Sequence, residues 1–228
     1  MATSGTATFG PDIAELCEDA FERCGLEMRS GYDLRTARRS LNIMAAEWSN
    51  RGLNLWTVAS GTQAITAGTA TYTLPADTVD LLEHVIRTGS GTSQSDQSLS
   101  RISGSTYATL TAKNSEGKPV QIYVDRQATP TVTLWPTPDS ASTYTLVYWR
   151  IRRIEDAGDA ASNTYDIPSR FIPPLVAGLA YHVALKRPEV GIERVALLKA
   201  AYEEQFSLAA DEDRSKASVQ FVPNISSI

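Results

Sequence analysis

The chain has 228 residues, of which 42% are hydrophobic and 21% charged, and its formal net charge is −5. This composition is typical of a soluble globular protein, and no apolar run reaches the roughly 18 residues that a membrane-spanning helix requires. The acidic balance hides no basic domain, since residues 57–167 hold 11 acidic and 8 basic side chains, which disfavours an autonomous DNA-binding domain.

The N-terminal region predicts a helix with one buried and one acidic face. The first ten residues have neither a basic start nor an apolar core, so we expect no signal peptide and synthesis in the cytoplasm. Apolar residues then recur at helical spacing over about 11–24, where Pro11 suits the first turn and Gly25 a left-handed stop. The outer face carries Glu15, Glu18, Asp19 and Glu22.

A second helix is predicted over about 33–50, with Asp33 as its N-cap and Gly52 as its stop. Its apolar residues form one stripe, which consists of Leu34, Ala37, Leu41, Ala45 and Trp48. Off this stripe lie a smaller apolar patch with Ile43 and the arginines Arg35, Arg38 and Arg39. Arginines among aromatic residues also occur on nucleic-acid-binding surfaces, but the balanced charge argues against that function. The second apolar patch suggests another contact, such as one with another subunit.

Residues 57–167 are rich in Thr, Ser, Val, Tyr and Gly and predict a β-module. The stretch TQAITAGTATYTLP predicts strand, Ala-Gly turn and strand, and LLEHVIR at 81–87 a further strand. A flexible polar loop is predicted over 88–100 and one short helix over 105–113. Three more strands are predicted in PVQIYVD, PTVTLWP and STYTLVYWRIRR. About six strands with closely spaced turns favour an antiparallel sandwich or a small barrel.

The chain returns to helical spacing after the β-module. Pro173 and Pro174 suit the first turn of a third long helix, which Pro188 ends. A last helix is predicted over about 189–212, with an apolar stripe of Ile192, Val195, Leu198, Tyr202, Phe206 and Ala209. Residues 213–228 are charged and then sparsely apolar, which predicts an extended tail that packs no core of its own.

The four long helices are expected to pack together, because neither pair buries its stripe alone. The predicted fold is therefore α+β. A four-helix bundle-like domain comprises 10–56 and 168–212, an antiparallel β-sandwich or barrel-like module is inserted at 57–167, and an extended C-terminal tail follows at 213–228.

No constellation of catalytic or metal-ligating residues stands out. The sequence lacks a Gly-rich phosphate loop and a nucleophile elbow. Cys17 and Cys24, two helical turns apart, predict buried reduced thiols rather than a zinc site, and His182 is interpreted as a core histidine. We expect a protein that is not an enzyme and that holds no metal or cofactor, with a hydrolase of nucleic acid or cell wall as an alternative.

Several stretches resemble the head-to-tail adaptor proteins of tailed phages. They are DIAELCEDAFERCGL, RRSLNIMAAEWSNRGLNLWTV, TYTLPAD, LWPTPDS, YTLVYW, DIPSRFIPPLVAGLAYHVALKRPE and LKAAYEEQFSLAADEDR. The resemblance covers roughly 10–215, and it is greatest to the tail tubular A and gatekeeper-type adaptors of short-tailed phages.

The resemblance implies a structural protein of the virion tail or neck. Such adaptors form a ring of twelve copies that joins the portal to the tail nozzle, and genomic double-stranded DNA passes through the lumen without sequence-specific binding. The likeness further implies that the C-terminal tail contacts the portal, with Phe221, Val222, Ile225 and Ile228 as anchors. The predicted subunit interface comprises Arg35, Arg38, Arg39, Ile43, Glu15, Glu18 and Glu22.

A carbohydrate- or receptor-binding tail module is the alternative function. Trp135 in LWPTPDS could form an aromatic platform for a sugar, although the pattern favours a core tryptophan at a strand end. The stretch RIRRIEDAGD at 150–159 could contact a partner or a phosphate backbone, although a strand with one solvated face fits it better.

Overall fold

A computed structural model of the chain describes residues 4–6, 8–52 and 55–214. The fold is α+β, as predicted, and none of the described sheets closes into a barrel. The chain divides into two compact units. The helical unit comprises the residues up to Ala45 and from Asp156 onward, and the β-unit runs from Ala46 to Glu155. The division into folding domains at 56 and 168 stays a prediction.

Five α-helices and ten strands lie in the described residues. The helices are α1 (Ile13–Cys24), α2 (Gly31–Arg51), α3 (Gly104–Thr109), α4 (Ile172–Ala184) and α5 (Ile192–Glu212). The strands are β1 (Val58–Ala64), β2 (Thr71–Thr73), β3 (Thr78–Thr88), β4 (Ser95–Ser98), β5 (Ser100–Ile102), β6 (Glu116–Gly117), β7 (Gln121–Asp125), β8 (Thr131–Trp135), β9 (Thr137–Pro138) and β10 (Tyr144–Arg152).

Helix α1 is bounded by the residue types on either side of it. The Asp12 carboxylate accepts a hydrogen bond from the Glu15 N–H, and the Glu15 carboxylate accepts one from the Asp12 N–H, which completes a capping box. Gly25 follows the helix with a φ of 76°, a left-handed conformation that glycine adopts without strain. The apolar face of α1 is buried, which confirms the predicted helix.

Helix α2 begins two residues before its predicted start, and the prediction of Asp33 as its N-cap is wrong. Asp33 lies in the first turn, where its buried carboxylate accepts hydrogen bonds from the Arg29 N–H and the Ser30 hydroxyl. Its third partner is Arg187, a cation from a distant part of the chain that a local pattern does not reveal. The predicted apolar stripe is buried at Ala37, Leu41, Ala45 and Trp48.

Helix α4 is buried along most of its length and lies against α1 and α5. Met44 of α2 and Tyr202 of α5 both approach α4 closely at Gly178. In contrast, α5 buries only Tyr202 and Ala209, and Ile192, which begins its predicted stripe, is 85% exposed. The predicted four-helix bundle is therefore not confirmed, because one long helix stays largely uncovered.

Two four-stranded sheets dominate the β-unit. Their strand orders are β1-β10-β3-β4 and β2-β8-β7-β5, and β6 pairs with β9. Most pairings are antiparallel, whereas β5–β7 and β6–β9 are parallel. The predicted strands on either side of Gly68 both form, but β1 pairs with β10 and β2 pairs with β8. The turn at Gly68 therefore carries the chain from one sheet to the other.

The two larger sheets share one apolar core, as in a sandwich. Side chains alternate along the strands, so that Ile122 and Val124 of β7 face the same core as Leu146 of β10. The predicted loop at 88–100 is wrong in part, because it contains β4, which pairs with β3. All four residues of β4 are exposed, and two hydrogen bonds between Arg87 and Asp96 support it in place of an apolar pattern.

Candidate interaction surfaces

One face of α2 is open to solvent. Its exposed residues recur at steps of three and four, which places them on one side of the helix. We call Tyr32, Arg35, Arg39 and Ile43 the α2 stripe. Tyr32 is 66% exposed and Ile43 is 54% exposed, so an aromatic and an aliphatic side chain bracket two cations. Large exposed apolar side chains next to arginines are typical of a protein-contact surface.

Arg38 is engaged elsewhere. Its guanidinium donates to the carbonyl oxygen of Asp159 at 2.7 Å and to the carboxylate of the same residue at 2.8 Å, and its side chain is only 16% exposed. The structure thus separates Arg38 from Arg35 and Arg39, its neighbours on the predicted interface. The contact with Asp159 gives Arg38 a role in the fold, and its place in a subunit interface stays a prediction.

The acidic face of α1 borders an open groove of about 340 Å³, which we call the α1 groove. The groove brings the three predicted glutamates together with apolar side chains such as Phe9 and Ile172. Glu15 is held in the capping box, whereas Glu18 and Glu22 are exposed and form no ion pair within the described residues. The α1 groove therefore offers negative charge to a basic partner.

Helix α5 carries a third open surface, which was not predicted from the sequence. Leu197 and Leu208 are 68% and 60% exposed, and Ala201 and Glu204 lie between them at helical spacing. We call these four residues the α5 stripe. The predicted apolar stripe through Tyr202 indicated only the buried side of this helix. A second set of apolar residues at helical spacing was the signal that could have revealed the open side.

An ion pair fixes the C-terminal end of α5. The Asp213 side chain is 2% exposed and binds Arg170. The neighbouring Phe171 contacts Phe206 of α5 edge to face, with 6.3 Å between the ring centroids. The last described residue is Arg214. The predicted portal anchors Phe221, Val222, Ile225 and Ile228 lie outside the described residues.

A charged network joins α2 to the residues that follow α4. Arg187 pairs with Asp33, and its hydrogen bond is the main reason why the pKa of Asp33 is lower than usual. The Lys186 Nζ donates to the Ser40 hydroxyl at 2.6 Å, and burial lowers the pKa of Lys186. Both contacts hold α2 in place within the helical unit.

Three aromatic residues of the β-unit, Trp135, Tyr107 and Tyr123, have packing roles. The Trp135 indole N–H donates to the carbonyl oxygen of Ala112 at 3.1 Å, and Trp135 is half-buried. Tyr107 of α3 stacks on Tyr123 of β7, with 5.4 Å between the ring centroids. These contacts fasten α3 and the loop after it to the sheet, and they account for Trp135 without a sugar ligand.

His84 and both cysteines are buried. Neither ring nitrogen of His84 has a hydrogen-bond partner within the described residues, and burial is the main cause that lowers its pKa. Burial raises the pKa of the Cys17 thiol to about 12, and the Cys24 Sγ donates to the Ala180 carbonyl. Among residues 4–6, 8–52 and 55–214, no three His, Cys, Asp or Glu side chains are grouped to hold a metal ion.

Three open surfaces of contrasting chemistry on one helical unit are typical of a component of a protein assembly. No helix in the described part of the chain is long and apolar enough to cross a membrane. The chain belongs to the SU10 adaptor protein family, which it matches over residues 11–224. It is thus a phage adaptor protein, a structural component of the virion that interacts with other phage structural proteins. No curated protein matches the chain.

Proposed function

We propose that the protein forms a ring of twelve copies that joins the portal to the tail nozzle and lets genomic DNA pass through its lumen. Membership of the adaptor family supports the connecting role. The sequence resemblance favours the tail tubular A or gatekeeper type of short-tailed phages. In this role the protein is a structural part of the tail or neck, made in the host cytoplasm, with no catalytic activity, cofactor or metal.

The observation that carries the ring proposal is the separation of charge on the helical unit. The α2 stripe exposes Arg35 and Arg39, whereas the α1 groove exposes Glu18 and Glu22. A ring of identical subunits is built from heterologous contacts, in which one surface meets a different surface of the neighbour. Basic and acidic surfaces on one chain supply such a pair, and their attraction also steers association.

The acidic side of this contact has two candidates. The first is the α1 groove with Glu15, Glu18 and Glu22, as expected from the sequence. The second is the α5 stripe, which places Glu204 between two exposed leucines. Contact of the α2 stripe with either surface would join two different surfaces of neighbouring subunits, as a ring requires.

Electron microscopy and light scattering of the full-length protein, alone and with purified portal protein, test the ring. We expect rings in at least one of these conditions, and a persistent monomer that also ignores the portal would contradict the proposal. Arg39→Glu should impair assembly with little effect on DNA affinity. The matched variant Arg38→Glu should instead lower stability, because it breaks the pair with Asp159. If Arg39→Glu alters DNA binding and leaves assembly intact, the α2 stripe faces the lumen.

Residues 211–228 are the proposed portal contact. A segment whose sequence has too few apolar residues for a core of its own is suited to binding a partner, and Phe221, Val222, Ile225 and Ile228 are its proposed anchors. Deletion of 215–228 should abolish binding to purified portal in a pull-down, while the shortened protein still unfolds cooperatively. Substitution of Ser226 and Ser227 by alanine is the matched control. If the shortened protein still binds the portal, the portal contact lies on another surface of the protein.

A further inference from the structure

We infer that the α5 stripe of one copy binds the α2 stripe of the next copy. The inference rests on the proposed assembly of identical subunits and names the two surfaces that meet. The occupant of the α5 stripe is thus a second copy of this chain. In such a contact each copy gives one stripe and receives the other, as a heterologous interface requires.

The α5 stripe has the composition of a surface that is covered in an assembly. Leu197 and Leu208 are 68% and 60% exposed in the single chain, and Ala201 leaves space between them for a partner's side chains. Glu204 is exposed and has no ion-pair partner within the described residues. Another exposed acidic residue on the outer side of this helix is Glu193. The surface is therefore apolar and acidic, which complements an apolar and basic one.

The two stripes also match in spacing. Tyr32 and Ile43 are 11 residues apart, as are Leu197 and Leu208, which corresponds to about 16 Å along each helix. Arg39 lies seven residues after Tyr32, and Glu204 lies seven residues after Leu197. If the two helices run parallel, Tyr32 and Ile43 meet the two leucines and Arg39 meets Glu204. Arg35 then lies opposite the small residues Ala200 and Ala201.

The α1 groove is the weaker candidate for the surface that binds the α2 stripe. The outer side of α1 exposes Glu15, Glu18, Glu22 and Arg23. Among the described residues that line the groove, Phe9 is the one large apolar side chain that is exposed, so contact there would pair charges around a single apolar group instead of two. Exposed ion pairs of this kind contribute little, whereas burial of large apolar side chains drives association. One of the three glutamates, Glu15, is also held in the capping box of its own helix.

A charge exchange in the full-length protein tests this pairing. Association is measured by light scattering over a range of protein concentrations, under the condition in which the native protein assembles. Arg39→Glu and Glu204→Arg should each weaken association about tenfold or more, and the double variant should recover most of the loss. Lys199→Glu is the matched control, because Lys199 is exposed on another side of α5 and its reversal should have little effect.

A crosslink gives an independent readout. Both native cysteines are buried, so a protein with Ile43→Cys mixed with a protein with Leu208→Cys should form a mixed disulfide dimer under mild oxidation. The pair Ile43→Cys with Glu18→Cys is the matched comparison for the α1 groove. Far-ultraviolet circular dichroism of each variant verifies that the helices are retained.

The possible outcomes separate the two proposals. Recovery of Arg39→Glu by Glu204→Arg, with the crosslink to position 208, supports the inference. Recovery by Glu18→Arg and Glu22→Arg, with the crosslink to position 18, overturns it and leaves the ring intact. Association that is insensitive to all of these changes also overturns it. A native protein that assembles neither alone nor with the portal contradicts the proposed function itself.

Discussion

Replacement of Gly178 by alanine tests the packing of α4 directly. A Cβ at this position would lie 2.5 Å from the Met44 Sδ and 2.7 and 2.9 Å from two ring carbons of Tyr202. Favourable contacts between such atoms require separations of roughly 3.5–4 Å. Met44 and Tyr202 are 0% and 1% exposed, so neither can withdraw without displacing other atoms of a close-packed core.

Two opposing effects set the size of the change. Extra atoms in a packed core typically cost about 1–3 kcal/mol, while alanine is favoured over glycine inside a helix by roughly 1 kcal/mol. We therefore expect Gly178→Ala to lower the free energy of unfolding by about 1 kcal/mol. The flexible Met44 side chain gives way more easily than the buried Tyr202 ring, so the contact with Tyr202 keeps the loss near this value.

Urea-induced unfolding followed by far-ultraviolet circular dichroism measures this loss. Gly31→Ala is the control, because Gly31 is the first residue of α2 and a Cβ there meets open space; this change should be neutral or slightly stabilising. In the Met44→Ala background, Gly178→Ala should cost less than in the native protein. A Gly178→Ala protein that is as stable as the native one, or a cost that Met44→Ala leaves unchanged, would refute the close approach of these helices.

Three further predictions concern buried polar groups. The pKa of His84 is lowered by burial and by Arg101, so the unfolded chain takes up a proton that the folded chain does not. The stability of the folded protein should therefore fall as the pH drops below the ordinary histidine pKa of 6.5. His84→Leu should reduce the difference between the urea midpoints measured at about pH 7 and about pH 5. If that difference is unchanged, His84 is not the source of the pH dependence. Arg170→Met should cost about 1–3 kcal/mol in the same assay, because it takes a cation away from the buried Asp213, and a neutral result would mean that other contacts suffice. Because the pKa of Cys17 is raised to about 12, iodoacetamide should label this thiol only after unfolding; labelling of the native protein would contradict its burial.

Regular periodicity made the helices predictable from the sequence. The buried face of α1 follows from the spacing of Ile13, Cys17 and Phe21, and its end follows from Gly25, because these signals lie within one helix. Asp33 shows the limit of such local reasoning. It has the residue type of an N-cap, but so does Ser30, whose carbonyl accepts the Leu34 N–H at the start of the helix. Asp33 instead lies in the first turn and also binds Arg187, 154 residues away in the sequence.

Sheet membership was less predictable than the strands themselves. The turn at Gly68 separates two strands in a pattern that a hairpin shares, so the sequence does not reveal that β1 and β2 belong to different sheets. The pairing of β1 with β10 depends on residues far apart in the chain. Likewise, β4 was predicted as a loop because it is polar throughout and owes its place to the Arg87–Asp96 pair.

The candidate surfaces were predictable only in part. The spacing of Arg35, Arg38 and Arg39 did not reveal that Arg38 forms an ion pair with Asp159, 121 residues away. Leu197 and Leu208 were missed because single exposed leucines are common on protein surfaces. Their significance depends on how little of α5 is covered by the rest of the described chain.

The helical unit is assembled from two ends of the chain, and this has a consequence for the order of its synthesis. The N–H groups of Ile13 and Ala14 donate to carbonyl oxygens of Asn163 and Ala161, and α1 lies against α4. On the ribosome α1 and α2 are therefore synthesised before α4. Their apolar faces stay uncovered while the β-unit is translated at about 5–20 residues per second. A nascent or truncated chain without α4 and α5 lacks both the partner of α1 and the α5 stripe. In the proposed assembly such an incomplete copy therefore has no surface for the α2 stripe of its neighbour.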